Sequence, residues 1–202
     1  MKRRYKLLII IFISFILVLI IYKLSYKSKY TYLFLGANYN NLSTYDFNDR
    51  LKYELKNDNI VYKEILEPFI IDEYIEMLDN NKHNINYYIK NANLIVISIG
   101  VNELNNYKEI DSSITIEYLN NIYKFLSKIR DLNKNDVFLI NLYDSNYPLI
   151  NSKIKRYTEE LKIYYIDRNI IGSNNEFYIK NDLYLNHKAH KNIANYITSK
   201  VK

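Results

Sequence analysis

The sequence predicts an α/β fold in which a three-layer, doubly wound parallel sheet follows an N-terminal transmembrane helix. Short apolar strands alternate with amphipathic helices at the spacing of βαβ units. One strand, at residues 94–99, is apolar enough to be buried on both faces of a parallel sheet. Residues 7–22 favour the anchor, because they are apolar apart from Ser14. The 202 residues include no Pro- or Gly-rich linker, so the remainder fits one domain.

The N-terminal segment has the layout of a signal anchor. Four basic residues precede the apolar run: Lys2, Arg3, Arg4 and Lys6. No small-residue cleavage site follows, so we expect the run to be retained, with Leu24 and flanking lysines extending it towards the roughly 20 residues that span a bilayer. The positive-inside rule favours a cytoplasmic N-terminus and a domain outside the cell membrane. We therefore predict an anchor and stalk over residues 1–29 and one domain over residues 30–202, the alternative being a buried N-terminal helix of a soluble protein.

The distribution of charge argues against a nucleic-acid partner. The net charge is +6, but residues 1–29 hold seven of the 28 Lys and Arg and none of the 22 Asp and Glu. Residues 30–202 are thus almost neutral, and contact of residues 7–22 and their flanks with membrane lipid accounts for the basic excess. The chain has no cysteine, which excludes disulfides, thiolate metal sites and a cysteine nucleophile. We predict no cofactor and no metal site.

The first half of the domain contains three predicted strands, at 31–35, 60–65 and 94–99. A helix lies between the first two, with apolar residues at every fourth position, and Ser43 or Thr44 is expected to cap it. The segment at 70–90 is predicted to be helical in two pieces, with a break near Asn80.

The second half continues the alternation of helices and strands. A long amphipathic helix is predicted at 114–132. The elements expected after it are a strand at 137–140, a helix at 152–161, a strand at 163–166 and a closing helix at 188–200.

Two predicted strands end in the same way, with a glycine two residues before an asparagine. The first strand leads to Gly36 and Asn38, and the third leads to Gly100 and Asn102. In an open α/β sheet such strand ends face one shared crevice. Together with Tyr184, these residues predict a polar, uncharged cleft that hydrogen-bonds a glycan or acyl ligand. Alternatively, Asn38 only satisfies the backbone of a turn.

The two strand ends resemble the first and third sequence blocks of the SGNH, or GDSL-type, hydrolases, which read Gly-Asp-Ser-Leu and Gly-x-Asn-Asp. Residues 89–93, 129–133 and 186–194 also look like the membrane-anchored lipase/acylhydrolase branch of that family. The likeness extends over essentially all of residues 31–200. It implies the flavodoxin-like sheet of SGNH hydrolases and an activity on ester bonds of lipids or cell-wall glycans.

The resemblance also implies that the catalytic residues have been replaced. Asn38 occupies the serine position, Asn181 the aspartate position and Tyr184 the histidine position. Residues 63–69 lack the glycine of the family's second block, and only Asn102, an oxyanion-hole residue in the family, is retained. Neither an amide nor a tyrosine, whose pKa is about 10, accepts a proton readily at pH 7. The chain is therefore predicted to lack the family's nucleophile and base.

Other side chains near the crevice could rebuild a catalytic site. The candidates are Ser43, Thr44, Ser98, Asp182, His187 and His190. A triad would need one hydroxyl, one imidazole and a carboxylate to orient the ring. The simpler interpretation is that His187 and His190 are solvated side chains at a helix start, and that His83 is a surface residue.

Three functions are compatible with this sequence. The first is a membrane-anchored, extracytoplasmic, catalytically degenerate protein that acts as a binding or scaffolding module at the cell envelope, with an active homologue as a partner. The second is a divergent esterase or lipase that uses Ser43 or another hydroxyl with His187 or His190. The third is a structural envelope protein whose crevice is vestigial. Replacement of several catalytic positions at once favours the first, because a chain under selection for catalysis would keep them.

Overall fold

The computed structural model describes residues 12–18, 30–36, 46–55, 60–65, 70–99, 112–141, 148–172, 178–179 and 184–201. Five strands form one parallel sheet: β1 (Tyr30–Gly36), β2 (Ile60–Ile65), β3 (Leu94–Ile99), β4 (Asp136–Asn141) and β5 (Tyr164–Ile166). The strand order is β2-β1-β3-β4-β5. Each of these strands lies within one residue at either end of its predicted position. This order is that of a flavodoxin-like sheet, as predicted.

Seven helices of the described residues follow the strands. They are α1 (Phe47–Glu54), α2 (Ile71–Asp79), α3 (Ile85–Asn91), α4 (Ser112–Leu132), α5 (Pro148–Glu160), α6 (Arg168–Ile171) and α7 (His187–Lys200). A 3₁₀ turn at Lys82–Asn84 separates α2 from α3, where Asn81, His83 and Asn84 have positive φ, so the predicted break is confirmed. Three elements were not predicted: α6 and the two strands of an antiparallel pair, β6 (Tyr178–Ile179) and β7 (Tyr184–Leu185).

The helices cover both faces of the sheet, which confirms the three-layer prediction. Odd-numbered residues of β1 and β3, such as Leu33 and Ile97, pack with α2, α3, α4 and α5. Even-numbered residues such as Phe34 and Val96 pack with α1, α6 and α7. Because successive strand side chains point to opposite faces, one apolar strand supplies both cores.

The cap of α1 corrects one sequence prediction. The N-cap is Asp46, whose Oδ1 accepts a hydrogen bond from the Asp49 backbone N–H at 2.8 Å. Ser43 and Thr44, the predicted caps, lie outside the described residues. The carboxylate suits the position because it both accepts the free amide and complements the positive end of the helix dipole.

Near the N-terminus, residues 12–18 form a helix whose side chains are all exposed. Among the described residues, none of the helices combines the length and apolar character needed to cross a bilayer. The remaining positions of the predicted anchor, 7–11 and 19–22, lie outside the described residues. The membrane anchor thus stays a prediction.

Asparagine side chains hold the loops at the N-terminal edge of the sheet, where the strands begin. Asn93 and Thr31 exchange two hydrogen bonds of 2.8 Å, from Asn93 N–H to Thr31 O and from Thr31 N–H to Asn93 Oδ1. Asn133 is buried, and its Nδ2 donates to the carbonyls of Ile89 at 2.5 Å and Ala92 at 2.8 Å. These bonds fix the end of α3, where Ile89 O also accepts the Ala92 N–H and Ala92 O also accepts from Asn135 Nδ2.

Arg130 completes this edge by donating to carbonyls of the two following loops. Its Nε donates to Leu161 O at 2.9 Å, Nη1 to Asn135 O at 2.8 Å and Nη2 to Lys162 O at 2.6 Å. The planar guanidinium can reach several carbonyls at once because its donors point in fixed, different directions. Arg130 and Asn133 thus have a structural role in fixing the loops at this edge.

Candidate functional site

The C-terminal ends of the parallel strands form the edge where a crevice is expected. α1 and α7 both begin at this edge and run side by side: the Phe47 N–H donates to His190 Nδ1 at 3.3 Å, and near their other ends Thr198 Oγ1 donates to Glu54 Oε2 at 3.2 Å. Their positive N-terminal ends therefore lie together at the crevice.

Most of the predicted site residues lie outside the described residues. They are Asn38, Ser43, Thr44, Gly100, Asn102, Asn181 and Asp182. Tyr184 is described only as backbone, in β7, where it pairs with Ile179. The described members of the predicted site are Gly36, Ser98, His187 and His190.

Gly36 is fixed at this edge by close approach of two strands. Its φ is +141°, a conformation that side chains rarely adopt, and a Cβ built on it would lie 2.3 Å from Ser98 O. Only glycine fits, since any side chain would clash with the β3 backbone. The predicted glycine therefore sits where β1 must end against Ser98.

Ser98 is 3% exposed and precedes the last residue of β3. Strand alternation puts it on the same sheet face as Val96, which is the face covered by α1 and α7. It therefore lies on the face that also carries His190. The hydrogen bonds that the structure gives to the rings of His187 and His190 include none to a hydroxyl of the described residues.

His190 is fully buried, so the prediction of a solvated side chain is wrong for this residue. Its ring stacks on Phe47 with centroids 5.8 Å apart, and Phe47 in turn contacts Phe34 of β1 edge-on at 5.5 Å. Because Nδ1 accepts the Phe47 N–H, the neutral ring carries its proton on Nε2. Nε2 has no hydrogen-bond partner among the described residues.

The pKa of His190 is about 4 instead of 6.5, mainly because of burial and in smaller part because of the nearby Arg50 and His187, while the Leu185 backbone acts in the opposite direction. Desolvation dominates because a charged imidazolium would lose its hydration between α1 and α7. The ring is therefore neutral at pH 7 and a weak base.

His187 is exposed, as predicted, and lies against Arg50. Arg50 Nη2 is 3.0 Å from Nδ1 and 2.6 Å from Nε2 of the ring. The guanidinium can only donate, so it faces the lone pair that an acid–base role would require. His83 is also exposed, which confirms that prediction.

Asn186 caps the N-terminus of α7, the last helix. Its Oδ1 accepts hydrogen bonds from the backbone N–H groups of Lys188 at 3.0 Å and Ala189 at 3.1 Å. Asn186 is thus the N-cap of α7.

A polar cluster beside the crevice was missed by the sequence analysis. Asn141, the last residue of β4, is 2% exposed and donates through Nδ2 to Asn151 Oδ1 at 2.8 Å and to the Tyr165 hydroxyl at 2.6 Å. Burial raises the pKa of Tyr165, so this phenol stays protonated. The sequence carried a signal for this cluster, because Asn141 follows a predicted strand, as Asn38 and Asn102 do.

The described residues bring together no three His, Asp or Glu side chains that could hold a metal ion. What they do bring together at the crevice edge is Arg50, two imidazoles and amide groups, of which His190 and Asn141 are buried and His187 is exposed.

Comparisons with protein-family models and with curated proteins gave no match, but solved structures match most of the chain. A lipase from a goat rumen metagenome has a TM-score of 0.63 and 20% identity, covering 84% of this chain and 96% of that one. A variant of an acetyl-xylooligosaccharide esterase from Geobacillus stearothermophilus has a TM-score of 0.63 and 11% identity, covering 86% and 94%. A family 3 carbohydrate esterase from Clostridium thermocellum has a TM-score of 0.57 and 14% identity, covering 84% and 94%. The chain thus has a hydrolase fold like that of lipases and carbohydrate esterases.

Proposed function

We propose that this chain is a membrane-anchored, extracytoplasmic protein of the SGNH type that binds a glycan or acyl group without cleaving it, as a binding or scaffolding module at the cell envelope. One observation carries the proposal: Asn38, Asn181 and Tyr184 stand where the family's serine, aspartate and histidine are expected. The hydrolase fold supports it at the level of architecture.

The environment of His190 also supports a site without a base. A general base needs a free lone pair near the reacting proton and a pKa near the working pH. His190 uses its lone pair on the Phe47 N–H and has a pKa of about 4. It stabilises the packing of α1 against α7, a role that does not depend on catalysis.

An ester-hydrolysis assay on the full chain in detergent tests the proposal. The substrates are short-chain nitrophenyl esters and acetylated xylo-oligosaccharides, the latter chosen from the esterases of similar fold. We expect no turnover above the uncatalysed rate. Turnover that His187→Ala or His190→Ala abolishes, and that the exposed control His83→Ala retains, would overturn the proposal.

Binding is measured separately on the same oligosaccharides. We expect a resin that carries acetylated xylo-oligosaccharides to retain the full chain, because amides at the strand ends would hydrogen-bond sugar hydroxyls. The double variant Asn38→Ala with Asn102→Ala should no longer be retained. Retention unchanged in the double variant would show that the predicted cleft is not the binding site.

The rival hypothesis is a divergent esterase. One observation favours it: His187 is exposed at the start of α7, and Ser98 lies on the sheet face that α7 covers. In that case turnover would depend on His187 and fall by about 10² to 10⁴ in His187→Ala, the usual effect of losing a general base.

A further inference from the structure

The N-terminal edge of the sheet carries a basic hollow that the proposed crevice function does not use. It has a volume of about 220 Å³ and is lined by Arg130, Lys134, Asn135, Asp136, Lys162 and Tyr164. Three of these residues are cationic and one is acidic. The hollow is smaller than the roughly 300–1,000 Å³ of sites that enclose whole ligands, so it suits a headgroup-sized anion.

Two lysines provide the accessible charge at this hollow. The donors of Arg130 are used by loop carbonyls, so this residue contributes charge but few free N–H groups. Lys134 donates to Arg130 O at 2.7 Å and lies 3.9 Å from Asp131, yet its side chain is 73% exposed. Lys162 is also exposed. Both ammonium groups can therefore contact a phosphate without leaving a buried partner unpaired.

The predicted anchor leads into the domain at this same edge. Seven residues, 23–29, separate the apolar run at 7–22 from the start of β1 at Tyr30. They span about 25 Å at most when fully extended. Neighbouring strands lie about 4.8 Å apart, so the starts of β4 and β5 lie within about 15 Å of the start of β1. An anchored domain would thus keep the hollow close to the bilayer surface.

The segment that links the predicted anchor to β1 is positively charged, like the hollow. Residues 23–29 contain Lys23, Lys27 and Lys29 and no acidic residue. Juxtamembrane lysines are attracted to anionic lipid, and two exposed lysines at the hollow extend the same positive surface onto the domain. Tyr164, which is 36% exposed, adds a ring of the kind that settles among headgroups.

We propose that the N-terminal edge of the sheet docks on the anionic surface of the membrane that holds the anchor, with lipid phosphates between Lys134 and Lys162. This inference rests on the membrane anchoring in the proposed function. Docking in this way turns the C-terminal edge of the sheet away from the bilayer. Since β1 and β3 are six or seven residues long, the crevice lies about 20 Å further out. The proposed ligand is therefore a glycan of the envelope rather than an ester within the bilayer.

The test uses the absence of cysteine, which allows single-site labelling of the full chain. Leu149→Cys and Glu159→Cys place an exposed label in the first and last turns of α5, at opposite edges of the sheet. Each labelled chain is reconstituted in vesicles of phosphatidylcholine with or without phosphatidylglycerol. Quenching by a headgroup-attached nitroxide reports which end of α5 lies at the surface.

We expect quenching at position 159 to exceed that at 149 about fivefold in phosphatidylglycerol vesicles, and the excess to vanish without the anionic lipid. Lys134→Glu with Lys162→Glu should also abolish it. The matched control, Lys153→Glu with Lys155→Glu, makes the same charge change elsewhere on exposed α5 positions and should keep it.

Equal quenching at the two positions, or an excess that survives Lys134→Glu with Lys162→Glu, overturns the docking. Loss of the excess in the control pair as well also overturns it, because the effect would then be one of net charge. Flotation of the chain with both kinds of vesicle is measured in parallel. Flotation without the quenching difference refutes the docking and leaves the anchor intact, whereas failure to float refutes both.

Discussion

The two edges of the sheet differ in what their polar side chains do. At the N-terminal edge, Arg130 and Asn133 bind backbone carbonyls of the segments that precede β3, β4 and β5. At the C-terminal edge, the described polar groups of Arg50 and Asn141 bind other side chains. The first pattern fixes a fold, because carbonyl positions depend on the backbone alone. In the second pattern the partners are side chains, so a ligand or a substitution can change them.

This contrast bears on the proposal that the chain has kept a hydrolase fold without catalysis. Arg130 and Asn133 lie at the edge opposite the crevice, so replacing a serine or histidine at the crevice leaves their hydrogen bonds in place. The crevice edge has backbone constraints of its own, in Gly36 and in the side chains of Asp46, Asn186 and His190 that accept backbone N–H groups.

The largest effect is expected from Gly36→Ala. The new Cβ would lie 2.3 Å from Ser98 O, at a φ of +141°. Strain at such a φ and overpacking together should lower the free energy of unfolding by about 3 to 5 kcal/mol. Urea unfolding of the full chain in detergent measures the loss. A loss below about 1 kcal/mol would mean that the β1–β3 approach is not rigid at this edge.

Asn133→Ala tests the N-terminal edge. It removes three hydrogen bonds of a buried side chain, namely those to Ile89 O and Ala92 O and the one from the Asn135 N–H, while each of the two carbonyls keeps one other donor. We expect a loss of about 2 to 4 kcal/mol in the free energy of unfolding. Asn195→Ala, at an exposed position of α7, is the control and should change stability by less than about 0.5 kcal/mol. Equal losses in the two variants would contradict the structural role of the N-terminal edge.

Because His190 is buried at the crevice edge, we expect the free energy of unfolding to depend on pH. Its pKa is about 4 in the fold against 6.5 when unperturbed, so between these values the unfolded chain binds a proton that the folded chain does not. The contribution to stability is complete above pH 6.5 and is lost as the pH falls towards 4. The free energy of unfolding should fall by about 2 to 3 kcal/mol from pH 7.5 to 4.5 on this account.

His190→Phe keeps a ring against Phe47 and removes the titration, so this part of the pH dependence should disappear. His83→Asn, which suits the positive φ of that exposed position, should retain it. An unchanged slope in His190→Phe would show that His190 is not buried as a neutral ring.

The smallest effect is expected from Asn186→Ala, which removes the N-cap of α7 and should cost about 1 kcal/mol. Asn186→Asp keeps the acceptor and should restore most of the stability. Thermal unfolding of the two variants separates these outcomes. A full loss in Asn186→Asp would mean that the residue acts through contacts other than the cap.

The central strands could be predicted because β1, β3 and β4 are buried on both faces along most of their length and therefore read as apolar runs, as at Leu94–Ile99. The N-cap of α1 could not be predicted, since Ser43, Thr44 and Asp46 all suit this position. The choice among them depends on where α1 meets α7. The same reason explains the error at His190, because residues 187 and 190 look alike in sequence. Burial of one and exposure of the other follow from packing against Phe47 and Arg50.

The central claim is that proton-transfer groups at the crevice edge were replaced while the fold was kept. The most direct measurement compares ester hydrolysis by the full chain with that of the variant Asn38→Ser, Asn181→Asp and Tyr184→His, both checked for cooperative unfolding. We predict an inert parent and a weakly active triple variant. Histidine-dependent turnover by the parent, or complete inactivity of a folded triple variant, would contradict the account.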